Sequence, residues 1–145
     1  KGFYVSIGAN LNPITQISQS YQYAKKINVF LKKQGRKNEI YEFEKMGLYK
    51  VLMSIDQTEV IEDYFTETLG KILDYDKKNG TNLYEVLRLY LENDGSVKTV
   101  ADYLFLHRNS INYKMNKIEE ILECKLSSTE VRTKLYMAYL MENFV

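Results

Sequence analysis

The sequence predicts a mainly α-helical protein that carries a small strand–helix–strand unit at its N-terminus. Two short runs of alternating polar and apolar residues lie near the start of the chain, which is the pattern of β-strands. Over most of the remaining chain the apolar residues recur at intervals of three and four, which is the pattern of amphipathic helices. Hydrophobic residues make up 45% of the chain, which is enough for a core but too dispersed for a membrane span.

The length and the cysteine content limit the class of protein. A chain of 145 residues favours one domain or two small ones. Because Cys124 is the one cysteine in the sequence, no disulfide can form within the chain, which suggests a reducing compartment and a cytoplasmic protein. No signal-peptide pattern precedes the first strand, and a start at Lys1 rather than at methionine suggests a piece of a longer protein.

The charges are segregated, although twenty basic residues almost balance nineteen acidic ones. Residues 1–38 carry a net charge of +7 and residues 39–95 one of −7, followed by +3 over residues 96–118 and −2 over residues 119–145. Segregation of this size favours a localised anionic partner. The lysines of the first segment recur along a predicted helix, and we interpret them as a solvated helix face rather than as a binding surface.

The N-terminal elements are predicted in the order strand, helix, strand. Residues 2–8 alternate in polarity. A helix ended by Gly35 follows, and its apolar side comprises Ile17, Tyr21, Ala24, Ile27 and Leu31. A second alternating run covers residues 40–44. Two strands alone do not make an independent fold, so we expect further sheet upstream in the longer protein.

The middle of the chain is predicted to be helical. Helical patterns cover residues 48–54 and 58–75, and the pattern breaks at Gly80. Thr81 is positioned to cap the next helix, which ends near Gly95. We therefore expect a boundary between the two parts of the chain somewhere between residues 54 and 80.

Residues 96–122 have the spacing of two short helices that cross at a tight turn. Ser96 is positioned to cap a first helix of about nine residues, which is too short to be stable alone. The second helix is predicted over residues 108–122, and its apolar side comprises Ile111, Met115, Ile118 and Leu122. A small residue, Ala101, stands where the two helices would cross. This is the spacing of a helix-turn-helix in a C-terminal multi-helix bundle.

The outward side of the second helix predicts binding to double-stranded DNA. At ~100° per residue, the side opposite the apolar residues carries amides, hydroxyls and an ammonium group, from Asn109, Ser110, Asn112, Tyr113, Asn116 and Lys117. Amides bond bidentately to adenine, Arg108 suits guanine, and hydroxyl and ammonium groups suit phosphate. Free N–H groups at the helix start also favour phosphate. The pattern predicts insertion into the major groove, and the plain alternative is a solvated polar face.

The string from Leu106 to Glu119, LHRNSINYKMNKIE, resembles the C-terminal helix-turn-helix of the PucR and CdaR family of bacterial transcriptional regulators. The signature of that family reads approximately His-Arg-Asn-Thr, apolar, any residue, Tyr-Arg, apolar, then Ile-Glu. The likeness extends upstream through a lead-in helix and covers about residues 70–140. It implies that the chain is a DNA-binding region and not an enzyme.

The sequence departs from the family signature at three positions. Ser110 replaces the usual threonine and keeps the hydroxyl, whereas Lys114 replaces arginine and loses the planar fork. Asn112 stands where a basic residue is common. These differences imply weaker binding to the DNA phosphates or a different operator.

The resemblance also implies which residues contact DNA. On the second helix and its N-terminal flank these are His107, Arg108, Asn109, Ser110, Asn112, Tyr113, Lys114, Asn116 and Lys117. Lys98 and Thr99 are candidate phosphate contacts on the first helix. His107, the one histidine, either caps the second helix or touches phosphate, and Cys124 is expected to pack. No metal or other cofactor is expected.

The domain order implied by the resemblance has three parts. Residues 1–54 are similar to the tail of a degenerate cyclase-like (GGDEF-like) α/β domain, residues 55–80 would be a helical linker or dimerisation segment, and residues 81–145 would be the DNA-binding domain. Because one short helix face gives weak specificity, we expect a homodimer. A small-molecule effector is expected to be sensed by an upstream domain, and no membrane partner is expected.

Two other functions stay open at this point. The chain could be a protein-interaction or dimerisation module, or a degenerate cyclase-like fragment that binds a nucleotide, in both cases without DNA binding. Residues 1–38 contain no aspartate or glutamate, so that stretch has no carboxylate ligands for a catalytic metal. Catalysis is therefore not expected.

Overall fold

The computed structural model describes residues 2–144, which fall into two compact units. One unit contains residues 2–59 together with 143–144, and the other contains Val60–Glu142. As predicted, the chain is mainly α-helical with a small two-stranded parallel sheet. The regular elements of the described residues are the strands β1 (Tyr4–Ile7) and β2 (Glu39–Glu42) and the helices α1 (Ile17–Lys33), α2 (Tyr49–Met53), α3 (Thr58–Asn79), α4 (Leu83–Glu92), α5 (Val97–Leu104), α6 (Arg108–Leu122) and α7 (Thr129–Met141).

The first unit contains the predicted strand–helix–strand arrangement. β1 and β2 pair in parallel, with Tyr4 opposite Glu39 and Ile7 opposite Glu42, and α1 lies between them in the chain. A parallel pair needs such a crossover because the chain must return to the end of the sheet where the first strand began before the second strand can start. Gly35 follows α1 with a φ of 64°, in the left-handed region that commonly ends a helix.

Only the C-terminal half of α1 is buried, which differs from the prediction. The core of this unit comprises Ile27, Phe30, Leu31, Met46 and Met53. Ile17 and Tyr21, predicted to face the core, are exposed. A strand of four residues is about 13 Å long, whereas a helix of 17 residues is about 25 Å long. The sheet is therefore too short to cover the first turns of α1.

The second unit has a hydrophobic core to which α3, α4, α5, α6 and α7 all contribute. Its most deeply buried side chains include Leu69, Ile72, Val86, Leu87, Val100, Ile111, Ile118 and Ala138. The Tyr139 hydroxyl of α7 donates a hydrogen bond to the carbonyl of Tyr84 in α4 (2.7 Å). Because short helices are stabilised mainly by packing of their apolar sides, this shared core holds α5 and α6 in place.

The junction between α3 and α4 is held by a carboxylate. Gly80 turns the chain with a φ of 62°. The prediction that Thr81 caps α4 is wrong, since the Asp76 carboxylate accepts from the N–H groups of Leu83 (2.9 Å) and Tyr84 (2.8 Å). The Thr81 hydroxyl instead donates to that carboxylate. A charged group that accepts from two N–H groups satisfies more of the helix start than one hydroxyl can.

Residues 2–144 offer neither a membrane-spanning helix nor a metal site. No helix in this range combines the length and the apolar character needed to cross a membrane. Within the same residues no group of three or more His, Cys, Asp or Glu side chains is arranged to hold a metal ion.

Candidate nucleic-acid interface

A tight turn joins α5 to α6, and hydrogen bonds hold it at both ends. Ser96 caps α5, as predicted, by accepting a hydrogen bond from the N–H of Thr99 (3.2 Å). Phe105 ends α5 in the left-handed conformation, with a φ of 54°. The N–H of Leu106 donates to the carbonyl of Ala101 (2.9 Å), which closes the last turn. The direction in which α6 leaves α5 is thereby determined.

His107 is the N-cap of α6. Its Nδ1 accepts a hydrogen bond from the N–H of Asn109 (3.2 Å), and its carbonyl accepts from the N–H of Ser110 (2.9 Å). Of the two roles considered for this histidine, capping is therefore present in the structure. A contact between His107 and phosphate stays a prediction.

The apolar side of α6 packs on α4 and α5. Ile111, Met115 and Ile118 are buried in the same core as Ala101 and Val100 of α5. The small side chain of Ala101 suits a close crossing of two helices, as its spacing from Ile111 predicts. This packing turns the opposite side of α6 outward.

The residues predicted to contact DNA lie on this outward side. Seven of them are exposed, namely His107, Arg108, Asn109, Ser110, Asn112, Tyr113 and Asn116, and two are partly buried, namely Lys114 and Lys117. The Tyr113 side chain is 73% exposed. On α5, Lys98 and Thr99 are exposed, but the Thr99 hydroxyl donates to Ser96 Oγ (2.8 Å) and so belongs to the cap.

The three cations of α6 differ in their partners. Among the described residues, Arg108 has no hydrogen-bond or ion-pair partner. Lys114 Nζ donates to a neutral acceptor, Asn82 Oδ1, at 2.7 Å. Lys117 Nζ donates to both carboxylate oxygens of Glu120, at 2.9 and 3.0 Å, and these hydrogen bonds raise the pKa of Lys117. Positive charge is therefore not neutralised at Arg108 and Lys114, whereas it is at Lys117.

Three carboxylates lie at the C-terminal end of α6, and each is paired with a lysine: Glu119 with Lys125, Glu120 with Lys117 and Glu123 with Lys71. Together with Asn116 and Lys125 they line part of a shallow groove. The pKa of Glu119 is lowered because its carboxylate accepts a hydrogen bond from the N–H of Leu126 (2.7 Å), so this side chain is firmly anionic. Because carboxylates repel phosphate, the surface suited to DNA is the N-terminal part of α6, and Asn116 lies at its border.

A groove of about 520 Å³ opens on the outward side of α6. One wall comes from the α3–α4 junction and α4, with Tyr75, Thr81 and Leu83. The other wall belongs to α6 and comprises Asn109, Ser110, Tyr113, Lys114 and Lys117. The Lys117 ammonium lies 5.5 Å from the centroid of the Tyr75 ring. Sequence reasoning missed Tyr75, Thr81 and Asn82 as site residues because only the fold brings them to α6.

A short capped helix, a tight turn and a second helix with an exposed polar N-terminal part define a helix-turn-helix domain. Residues 83–141 match the family model of the PucR C-terminal helix-turn-helix domain. The second unit is thus similar to that domain over α4, α5, α6 and α7.

Curated relatives extend the likeness to most of the chain. The chain is 31% identical to the proline-responsive transcriptional activator PutR of Bacillus subtilis over 92% of its own length and 33% of that of the relative. It is 27% identical to the DNA-binding transcriptional activator AdeR of Bacillus subtilis, over 92% of the chain and 32% of the relative. For the carbohydrate diacid regulator of Escherichia coli the identity is 26%, over 94% and 34% respectively.

The chain spans about a third of the length of these relatives. The relatives therefore bear on this region and not on a complete protein. No solved structure matches the chain.

Proposed function

We propose that the chain is the sequence-specific DNA-binding region of a bacterial transcriptional regulator. In this proposal α6 enters the major groove and its N-terminal part contacts the bases. One observation carries it: the outward side of α6 presents amides and hydroxyls beside two cations, Arg108 and Lys114, that no carboxylate neutralises. The similarity to regulators named as transcriptional activators supports the same function.

The proposed contacts follow from the chemistry of each side chain. Arg108 suits the O6 and N7 acceptors of guanine, and the amides of Asn109 and Asn112 suit adenine. Ser110 and Lys114 suit phosphate oxygens, which set the position of the helix rather than its sequence preference. His107, Tyr113, Asn116, Lys117, Lys98 and Thr99 complete the proposed set, and the capping bonds of His107 and Thr99 give these two a positioning role as well.

We expect the regulator to bind DNA as a homodimer. One short helix side makes few base contacts, and helix-turn-helix proteins gain specificity by binding two half-sites about 34 Å or a multiple of that distance apart. Sedimentation together with footprinting tests this expectation. A monomer bound tightly to one isolated half-site would contradict it.

The rest of the domain assignment belongs to the same proposal. Residues 1–54 would be the tail of a degenerate cyclase-like α/β domain, residues 55–80 a linker or dimerisation segment, and residues 81–145 the DNA-binding domain. The parallel pair of β1 and β2 joined by α1 is compatible with a fragment of such an α/β domain. We place the protein in the cytoplasm, with a small-molecule effector sensed elsewhere in the longer protein.

Selection of bound sequences from a random pool of duplex DNA tests the function directly. We expect a motif to be enriched by the 145-residue chain and lost when Asn109 and Arg108 are both replaced by alanine. An equal enrichment by both proteins would reject the assignment of α6 to the major groove. Failure of the unaltered chain to retain any duplex would reject DNA binding itself.

A protein-interaction module is the second candidate, and one observation favours it. The turn between α5 and α6 exposes apolar side chains, with Phe105 96% and Leu106 41% exposed, and Tyr103 nearby in α5 is 66% exposed. Exposed apolar groups of this size often mark contact surfaces. If replacement of the α6 amides abolishes DNA binding and Phe105→Ser leaves DNA binding unchanged, the result favours DNA over a protein partner.

A further inference from the structure

The groove beside α6 has a lining that matches the sugar-phosphate chain of DNA. No carboxylate lines the groove itself, although Asp76 accepts hydrogen bonds from two lining residues, Thr81 and Leu83, and Glu120 binds Lys117. Lys114 and Lys117 line it together with Ser110, Tyr75 and Tyr113, and the Lys117 ammonium lies 5.5 Å from the centroid of the Tyr75 ring. A nucleic-acid backbone alternates apolar sugars with anionic phosphates, so it suits walls that combine rings with cations.

Lys114 is the cation of this groove best suited to phosphate. It is held at 2.7 Å by the side-chain oxygen of Asn82, which is neutral and leaves the positive charge intact. An ammonium group has three N–H donors, so donors remain for a phosphate oxygen after this bond is made. Lys117 differs, since both oxygens of Glu120 already bind it.

The Asn82 side chain is not needed to start α4. Asn82 occupies the N-cap position but makes no capping hydrogen bond with its side chain. The carboxylate of Asp76 accepts from the N–H groups at the start of this helix instead. The described contact of the Asn82 side chain is with Lys114, which points to a role at the groove.

We infer that the α3–α4 junction, residues 75–82, forms the second wall of the DNA-binding site, and that the groove holds a stretch of DNA backbone with a phosphate on Lys114. Asn82 acts as a positioning residue that orients the ammonium group. The inference rests on the proposed DNA binding by α6. It extends the interface to residues that precede the helix-turn-helix match at 83–141.

The variant Asn82→Asp tests this inference. The new carboxylate would pair with Lys114 and bring negative charge into the groove, so the affinity for a short mixed-sequence duplex should fall roughly tenfold. The slope of log affinity against log salt concentration should become shallower by about one. Because the Asn82 side chain makes no capping hydrogen bond and Asp76 accepts from the first N–H groups of α4, this helix should stay folded, which a thermal unfolding curve would verify.

Two matched variants complete the experiment. Ser127→Asp adds the same charge to an exposed position of the same unit outside the groove, and it should leave both affinity and salt slope almost unchanged. Asn82→Gln keeps an amide oxygen and adds no charge, so it should retain most of the affinity; a loss as large as that of Asn82→Asp would show that the added charge beside Lys114 is not the cause.

The outcomes separate this inference from the proposed function. If Asn82→Asp binds duplex as the unaltered chain does while Arg108→Ala and Lys114→Ala bind more weakly, the junction is not part of the site and binding by α6 stands. If Ser127→Asp weakens binding as much as Asn82→Asp, the effect is general charge repulsion and the groove assignment is overturned. If the unaltered chain binds no duplex, the proposed function fails and this inference fails with it.

Discussion

α1 and α6 are both long polar helices, yet only α6 has the features of a recognition helix. α1 carries four lysines and no acidic residue, whereas α6 carries one arginine, two lysines and two glutamates. By charge alone, α1 would be the better candidate for contact with DNA. The number of basic residues therefore does not distinguish the two helices.

The difference lies in where the polar groups stand along each helix. Lys26 of α1 is bound to the carboxylate of Asp56 (3.0 Å) and to the carbonyl of Met53 (2.6 Å), and the exposed side of α1 also carries Ile17 and Tyr21. α1 also exposes amides and lysines, Gln22 and Lys32 among them, but α6 carries its amides and Arg108 in the first turns of a helix that a tight turn joins to α5. The placement of such groups at the start of the second helix of a helix-turn-helix indicates a DNA-binding helix better than net charge does.

The largest expected effect tests how strongly the packing of α6 on the core stabilises the fold. Ile111 is fully buried on the core-facing side of α6, so Ile111→Ala should lower the free energy of unfolding by about 3 kcal/mol through lost burial and a cavity. Urea denaturation followed by circular dichroism measures the change. The matched control is Ile17→Ala on α1, where the side chain is 62% exposed and the loss should stay below about 0.5 kcal/mol. Equal losses would contradict the contrast in burial between the two helices.

The second-largest expected effect compares the basic residues of α6 with those of α1 in DNA binding. Removing Arg108 and Lys114 together should weaken binding to duplex DNA by roughly a hundredfold, because each is proposed to make a charge-assisted contact with it. Removing Lys25 and Lys32 from α1 takes away the same charge and should change binding by about twofold or less. Fluorescence anisotropy at fixed salt measures both. Similar losses in the two double variants would show that binding depends on total charge.

A change at one amide tests sequence preference rather than affinity. Asn109→Ala should relax the preference for one base pair, worth about 1–3 kcal/mol of discrimination, while binding to mixed-sequence DNA changes little. Competition between the selected sequence and its single-base variants measures this. Gln22→Ala removes an exposed amide from α1 and serves as the control. An unchanged base preference in Asn109→Ala would remove this residue from the set of base contacts.

The features that the sequence predicts well are local ones. The bounds of α6 at 108 and 122 agree with the prediction because the spacing of Ile111, Met115 and Ile118 reflects contacts made within one helix side. The cap at Ser96 is likewise set by its own neighbours three residues away. Helix type and helix direction follow from such short-range rules.

The features that the sequence does not predict depend on distant partners. The pair of Lys114 and Asn82 spans 32 positions, and the capping of α4 by Asp76 requires the turn at Gly80 to bring two helices together. The ion pair of Lys117 with Glu120 is one that the sequence could predict, since residues three apart lie next to each other on a helix surface. The outward position of Lys117 predicts a phosphate contact, whereas in the structure its ammonium group donates to Glu120.

The smallest expected effect concerns the carboxylates at the C-terminal end of α6. Glu120→Gln removes the carboxylate that holds Lys117, so binding to mixed-sequence DNA should become about threefold tighter, within the range of an exposed ion pair. The salt slope should steepen by at most about one if the freed ammonium reaches phosphate.

Glu123→Gln is the matched control for Glu120→Gln, because it removes the same charge from the same end of the molecule. Its carboxylate pairs with Lys71 of α3, so it frees no cation of α6. Equal tightening in both variants would mean that the acidic end acts through long-range repulsion alone. Tightening in Glu120→Gln only would show that Lys117 is withheld from DNA by a carboxylate of its own helix, a constraint that the lysines of α1 do not have because α1 contains no acidic residue.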